Sequence, residues 1–286
     1  MEKAILKTLI YANIFAYPLK GYEVYKWLVK KPTTLLQVEA GLNRLIKKRK
    51  VEFFKGYYFL SKEKSIVLKR IRREKYSKTL YKKAILFAQI LKIIPWIKLV
   101  GISGGLALND ADKKDDVDLF IITAGSRLWL SRLLAILILD LFRIRRKAGM
   151  SRKDTKGKVC LNTVIDEGFL EQKFKDLFIA HEVLQMKVIW QREGIYSRYL
   201  NDNDWAFNFL PNWTSRIKYL KARLDEGSNF FNIVERLAKK LQIKIMQKPN
   251  GLERIEEGGL YFYPNDYRAQ ILKLYNQRTK RFSSTT

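Results

Sequence analysis

Between Lys98 and Ile122 the chain reads Lys-Leu-Val-Gly-Ile-Ser-Gly-Gly-Leu-Ala-Leu-Asn-Asp-Ala-Asp-Lys-Lys-Asp-Asp-Val-Asp-Leu-Phe-Ile-Ile. An apolar strand ends at Ser103, a tight Gly104-Gly105 turn opens a short helix, and eleven residues past Gly105 the run Asp116-Val117-Asp118 leads into a second apolar strand. The period of two in a strand puts Asp116 and Asp118 on one face and Val117 on the other. Two neighbouring carboxylates suit a hard cation that prefers oxygen ligands. Glycines without a Cβ let backbone N–H groups approach a phosphate chain, and a helix N-terminus adds a favourable dipole. Asp115 has the opposite parity and is left out of the pair. Asp110 and Asp112 read as decoration of a solvent loop.

The charge of the chain is unevenly spread. It carries 56 Lys and Arg against 28 Asp and Glu, a formal charge of +28. Residues 1–95 hold 23 of the basic residues and 6 of the acidic ones, a balance of +17, and residues 96–286 hold 33 and 22, a balance of +11. A field of this sign draws polyanions, so nucleic acid or an anionic surface is the expected partner class; a generally basic, solubilising surface is the alternative. One Cys (Cys160) and one His (His181) exclude a disulfide scaffold and the common zinc sites, so a metal must rest on carboxylates. The first residues lack the pattern of a secretory signal, which gives a cytoplasmic expectation. The apolar tract Leu128–Phe142 is short of the ~20 residues that span a bilayer, so no membrane span is expected.

Three helices and a hairpin are expected at the start. Residues 2–15 place Leu6, Leu9, Ile10 and Ile14 at helical spacing with Ile5 on the flank, and Pro18 ends the run. Gly21–Val29 fits a second helix. Thr33 and Thr34 are N-cap candidates for a third, with Leu35, Val38, Leu42, Leu45 and Ile46 as its apolar face. Val51–Phe54 and Tyr57–Leu60 then read as strands turning at Lys55-Gly56. This layout resembles the winged helix-turn-helix family over residues 1–61. The resemblance implies that the third helix, which ends in Arg44, Lys47, Lys48, Arg49 and Lys50, enters a DNA or RNA groove and that residues 34–60 form the contact surface. A role in protein contact or in linking domains is the alternative.

Residues 62–94 read as a basic helical linker whose charges form a solvated face, with phosphate tracking left open. Residues 95–168 then hold the Gly-Gly and Asp-x-Asp pair. Ser103-Gly104-Gly105 with Asp116-Val117-Asp118 resembles the signature of the nucleotidyltransferase superfamily related to DNA polymerase beta. Within it the chain resembles prokaryotic members that join a winged helix to the transferase domain and continue into a helical tail. The implied fold is α/β (α+β), a winged helix followed by a mixed sheet with helices. The implied activity is Mg2+- or Mn2+-dependent transfer of a nucleoside monophosphate from a nucleoside triphosphate to an acceptor hydroxyl. Asp116 and Asp118 would hold the metal, and Ser103, Gly104 and Gly105 the phosphates. In the family a third carboxylate comes from a later strand, here Lys158–Asp166. Asn162 at mid-strand departs from that pattern. Asp166, read as sharing its face, is the candidate substitute, the alternative being a polar residue at the loop entry.

Ser126–Lys147 reads as a long helix whose basic end, Arg143 to Lys147, is favoured by the helix dipole without a ligand. Residues 169–286 read as helical, at Gln172–Gln191, Trp213–Leu224, Asn229–Gln247 and Tyr267–Arg281, with 248–265 as a loop and a frayed end at Ser283–Thr286. His181 among Phe178, Ile179, Val183 and Leu184 reads as a packed core residue, and the aromatics between Trp190 and Trp213 as helix packing.

Overall fold

The structure is a computed structural model and describes residues 1–60, 63–147, 149–151, 153–213, 229–246, 254–262 and 267–284. It is a mixed α/β architecture. The N-terminal part runs α1 (Glu2–Ile14), β1 (Leu19–Lys20), α2 (Gly21–Lys26), α3 (Leu35–Lys47), β2 (Glu52–Phe54) and β3 (Tyr57–Phe59). The three strands form an antiparallel sheet in the order β1-β3-β2. Ile5, Leu9, Val24, Leu28, Val38, Leu42 and Leu45 are fully or almost fully buried and form one core. Leu35, expected on that apolar face, is exposed, as is Leu36 beside it in the first turn of α3. Thr34 caps α3 by accepting from the Gln37 amide. The second helix stops at Lys26, three residues short of expectation; Trp27, Leu28 and Val29 leave it as a buried irregular segment, with the Val29 amide donating to Thr8 Oγ1.

The 27-residue helix α4 (Ser65–Leu91) leaves this unit and crosses to the larger one. Its charges are not all solvated. Arg70 is 2% exposed, lies 3.7 Å from the Tyr17 ring centroid and pairs with Glu23 at 2.9 Å and Glu74 at 3.2 Å. A buried guanidinium needs partners of this kind, since an unpaired charge out of water is costly. The far half of α4 buries Leu80, Ala84, Phe87 and Leu91 against the second sheet.

Among the described residues that sheet has six strands in the order β7-β4-β5-β6-β9-β8. β4 (Ile97–Ile102) and β5 (Val117–Thr123) are antiparallel, and β5 is parallel to β6 (Val159–Asp166). The outer strands come from the C-terminal region: β7 (Lys187–Gln191) joins β4, and the hairpin β8 (Arg254–Glu256) and β9 (Gly259–Tyr261) joins β6. Two expectations are corrected here. The helix expected at Gln172–Gln191 is α7 (Leu177–Gln185) followed by strand β7, and the loop expected at 248–265 contains the β8–β9 hairpin among its described residues. The short apolar run before Gln191 is consistent with either helix or strand, the hairpin's three-residue strands carry little signal of their own, and in both places an open sheet edge decides.

Helices cover both faces. α4, α6 (Leu128–Leu141) and α9 (Asn229–Met246) pack on the face of Val100, Ile102, Val117, Leu119 and Ile121. α7, α8 (Ile195–Asp202) and α10 (Arg268–Ser284) pack on the face of Leu99, Phe120 and Ile122. α6 is shorter at both ends than Ser126–Lys147, and α10 runs through Ser284, where fraying was expected. The helix expected at Trp213–Leu224 lies, apart from Trp213, outside the described residues, as do Gln247, Thr285 and Thr286. No helix among the described residues is long and apolar enough to cross a membrane.

Candidate functional site

The site forms where β4 ends and β5 begins. Val117, Leu119 and Ile121 face the α4–α6 side, so strand parity sends Asp116 and Asp118 to the opposite face. On β6, Val159 and Leu161 face the α4–α6 side as well, which puts Cys160 beside Asp118, its register partner. One ligand atom from each of Asp116, Asp118 and Cys160 lies within 4.8 Å of the others. Burial and the neighbouring Asp116 charge push the Asp118 carboxyl up to about 7, against the opposing pull of Arg146 and a hydrogen bond with Cys160. Burial pushes the Cys160 thiol well above its ordinary value, with Asp118 and Asp116 adding to the effect, so it stands protonated.

The glycine turn is fitted to this pair. Gly104 has φ +61, and a Cβ built on it would lie 2.9 Å from Asp118 Oδ2. Only a residue without a side chain lets the backbone take that conformation and approach the carboxylate that closely. Ser103 donates its amide to the Asp118 carbonyl at 3.0 Å, and its Oγ accepts from Asn162 Nδ2 at 3.3 Å. Ser103, Gly104, Gly105, Asp116 and Asp118 therefore come together as the sequence led one to expect.

Asp166 does not join them. The pairing of β5 with β6 slips by one residue after Leu119 and Leu161, so that Phe120 faces Thr163. A one-residue slip moves every later side chain to the other face. Val164 and Asp166 consequently point to the α4–α6 side, while Cys160 and Asn162 do not. Asp166 also pairs with Thr123, at the far end of the strand from the Asp118–Cys160 pair. Six residues separate the two levels along β6, which is ~20 Å. There Asp166 accepts from the amides of Ser126 at 2.6 Å and Gly168 at 2.8 Å. It belongs to the entry of α6, not to the acidic pair.

Two residues enter that sequence reasoning missed. Cys160 was weighed only for disulfides and zinc; its place two residues before Asn162 on the same strand was the signal. Arg146 was assigned to a helix end. The helix stops at Leu141, and the segment after it runs beside β6, with the Arg146 amide bonded to the Val159 carbonyl. This carries the Arg146 guanidinium to Asp116 Oδ2 at 2.7 Å, and no local pattern announces it. Asp110, read as solvent-facing, pairs with Arg73 of α4 at 2.6 Å, because the loop after α5 (Gly104–Ala107) folds against that helix.

The donor set fits a hard divalent cation on Asp116 and Asp118. The protonated thiol adds no ligand for such an ion. Arg146 supplies a positive charge beside the pair, available to balance anionic oxygens. No family model, no curated protein and no solved structure matches the chain.

Proposed function

We propose that the protein is a metal-dependent nucleotidyltransferase that moves a nucleoside monophosphate from a nucleoside triphosphate to an acceptor hydroxyl. The observation that carries the reading is the fit of Gly104 against Asp118: the turn that would present amides to phosphate is built onto the carboxylate that would hold metal. Asp116 and Asp118 would hold Mg2+ or Mn2+, which supplies offset of the charge on entering and leaving oxygens. The amides of Gly104 and Gly105 face the phosphate chain, where donors fixed in advance cost no reorganisation. Arg146 trades its bond with Asp116 for a phosphate oxygen. Ser103, held by Asn162, fixes the end of β4 so that the turn keeps its place.

The N-terminal unit, three helices with a small antiparallel sheet, supports its reading as a winged helix. Its α3 presents Lys47 to solvent, as the turn beyond it does Arg49, whereas Arg44 and Lys48 are engaged with Glu2 at 3.1 and 2.8 Å. DNA or RNA on residues 34–60 and on the exposed part of α4 is the proposed acceptor.

The test compares wild type with Asp116→Ala/Asp118→Ala during incubation with labelled nucleoside triphosphates and candidate acceptors. Metal-dependent labelling by wild type alone is the expected result. Equal labelling by both, with no metal-dependent triphosphate binding, sinks the proposal. A second reading, a transferase fold serving as a regulatory or nucleic-acid-binding module, draws on the third member of the cluster with Asp116 and Asp118 being Cys160 and not a carboxylate, among the described residues. Wild type that binds duplex with steep salt dependence and never binds Mn2+ favours it.

A further inference from the structure

A cavity of about 430 Å³ lies behind the Gly104-Gly105 turn, between α1, the segment after α2, α7 and α10. Its volume falls in the range of small-molecule sites. Aromatic side chains make up much of its wall: Tyr11, Phe15, Tyr17, Trp27, Phe178 and Tyr267. The wall is set before any ligand arrives. Tyr11 stacks on His181 with ring centroids 4.3 Å apart and planes 8° apart, and Trp27 closes on the same imidazole at 5.1 Å.

The polar groups in this lining are few. His181 Nε2 is buried without a hydrogen-bond partner among the described residues, a state that costs about 1–3 kcal/mol unless something completes it. Burial pushes the imidazole down to about 3, so the ring is neutral. Glu182 stands next to it, accepts from the Gln185 amide, and has its carboxyl pushed up to about 7 by burial. Asp110 completes the acidic side and is already bonded to Arg73.

Among the described residues the lining contains no Lys or Arg, in a chain that has 56 of them. No cationic side chain of the described lining faces a phosphate or sulfonate there, and the carboxyls of Glu182 and Asp110 disfavour an anion in the aromatic part of the cavity. We propose that this cavity is a binding site for a small, uncharged, planar aromatic molecule carrying a hydroxyl or N–H donor. Stacking between the aromatic walls supplies affinity, and the donor meets the Glu182 carboxyl in the lining. Gly104 and Gly105 line the cavity on one side while Gly104 abuts Asp118 on the other. If the transferase reading holds, a ligand here lies on the other side of the Gly104-Gly105 turn from Asp118, close enough to influence the site; the binding claim itself does not rest on that reading.

The experiment is calorimetric titration of the full-length protein with 2-naphthol and indole as neutral probes and 2-naphthalenesulfonate as the anionic counterpart. Saturable 1:1 binding of at least one neutral probe, at least tenfold tighter than the sulfonate, is expected. Ala12→Phe, which fills the cavity from α1, should weaken it at least tenfold. Phe15→Ala changes a residue 45% exposed at the rim and so keeps the fold; it should weaken binding about threefold or more. Asp116→Ala/Asp118→Ala should bind as wild type does, which separates failure of the pocket from failure of the transferase. No saturable binding of either neutral probe, equal binding of the sulfonate, or Phe15→Ala and Ala12→Phe both binding like wild type overturns the proposal.

Discussion

The two ends of the β5–β6 pair both carry carboxylates, and they treat them in opposite ways. At the far end, Asp166 takes two backbone amides, and Glu167 is fully buried between Lys98 at 3.0 Å, Arg198 at 3.3 Å and the Gly125 amide at 3.0 Å. Glu235 from α9 accepts from the Trp129 and Leu130 amides, both at 2.8 Å, at the start of α6. These acids complete a helix N-terminus and a buried ion network. At the near end, Asp116 and Asp118 are pressed together with a thiol and one arginine. A carboxylate whose oxygens are taken up by amides is part of the frame. A pair held side by side against mutual repulsion is the arrangement the proposed function needs for a cation.

The sharpest break of this contrast is at Glu167. Glu167→Leu leaves Arg198 without its carboxylate and Lys98 with only the half-exposed Glu193, which costs about 2–3 kcal/mol. Urea unfolding should show that loss, with Mn2+ affinity of the folded fraction unchanged. A loss below about 1 kcal/mol would mean the far-end network carries little of the frame. Asp166→Ala should cost about 1–3 kcal/mol, since the Ser126 and Gly168 amides lose their acceptor. Triphosphate and Mn2+ binding should persist in this variant. If they vanish while the fold survives, Asp166 acts at the near end and the division between the two ends is wrong.

The reason Asp166 misled is physical. Strand parity read along Lys158–Asp166 puts Asn162 and Asp166 on one face, and that holds only for an unbroken register. The slip after Leu161 is a property of how two strands fit, which one strand's residues do not encode. The turn and acid pair were legible because their spacing is local: Ser103, Gly104 and Gly105 meet Asp116 and Asp118 across a single β4–β5 connection. The N-terminal unit was legible for the same reason, its helices marked by apolar period, Thr34 and Pro18. What escaped depended on distant partners. β7 and the β8–β9 hairpin are strands because β4 and β6 offer open edges, and Arg70 is buried because Glu23 and Tyr17 wait for it in another element.

A pH series sharpens the near end further. Asp118 titrates near 7 in the fold against an ordinary 3.8, so between those values the folded chain keeps a proton that the unfolded chain has lost. Stability therefore falls as pH rises through that window and levels off above it. Asp118→Asn removes this dependence. The variant should match wild type near pH 4, become progressively the more stable of the two up to about pH 7, and hold a constant lead beyond. Under the proposed function, metal binding by wild type should show the opposite trend, tightening by up to about tenfold per unit as pH rises toward 7 because the ion displaces one proton. A stability gap that is flat from about pH 4 to 8 would show that the carboxyl is not under strain from burial and Asp116.

The smallest effect on stability is expected at Arg146, and it is the one that separates a frame residue from a working one. Its pair with Asp116 is partly open to solvent, the side chains being 38% and 15% exposed, and such pairs contribute at most about 1 kcal/mol. Arg146→Ala should therefore leave the urea midpoint almost unmoved. Removing a competing cation from Asp116 should tighten Mn2+ binding to the free protein by up to ~5-fold, the equivalent of that ~1 kcal/mol. The same variant should bind triphosphate in the presence of metal more weakly than wild type, because the guanidinium proposed to move from carboxylate to phosphate is gone. Metal and triphosphate affinities moving in opposite directions is a result that neither a structural ion pair nor general surface charge produces. If both weaken together, Arg146 holds Asp116 in place; if neither changes, it only neutralises the near end, and the positive charge for the phosphates must come from elsewhere.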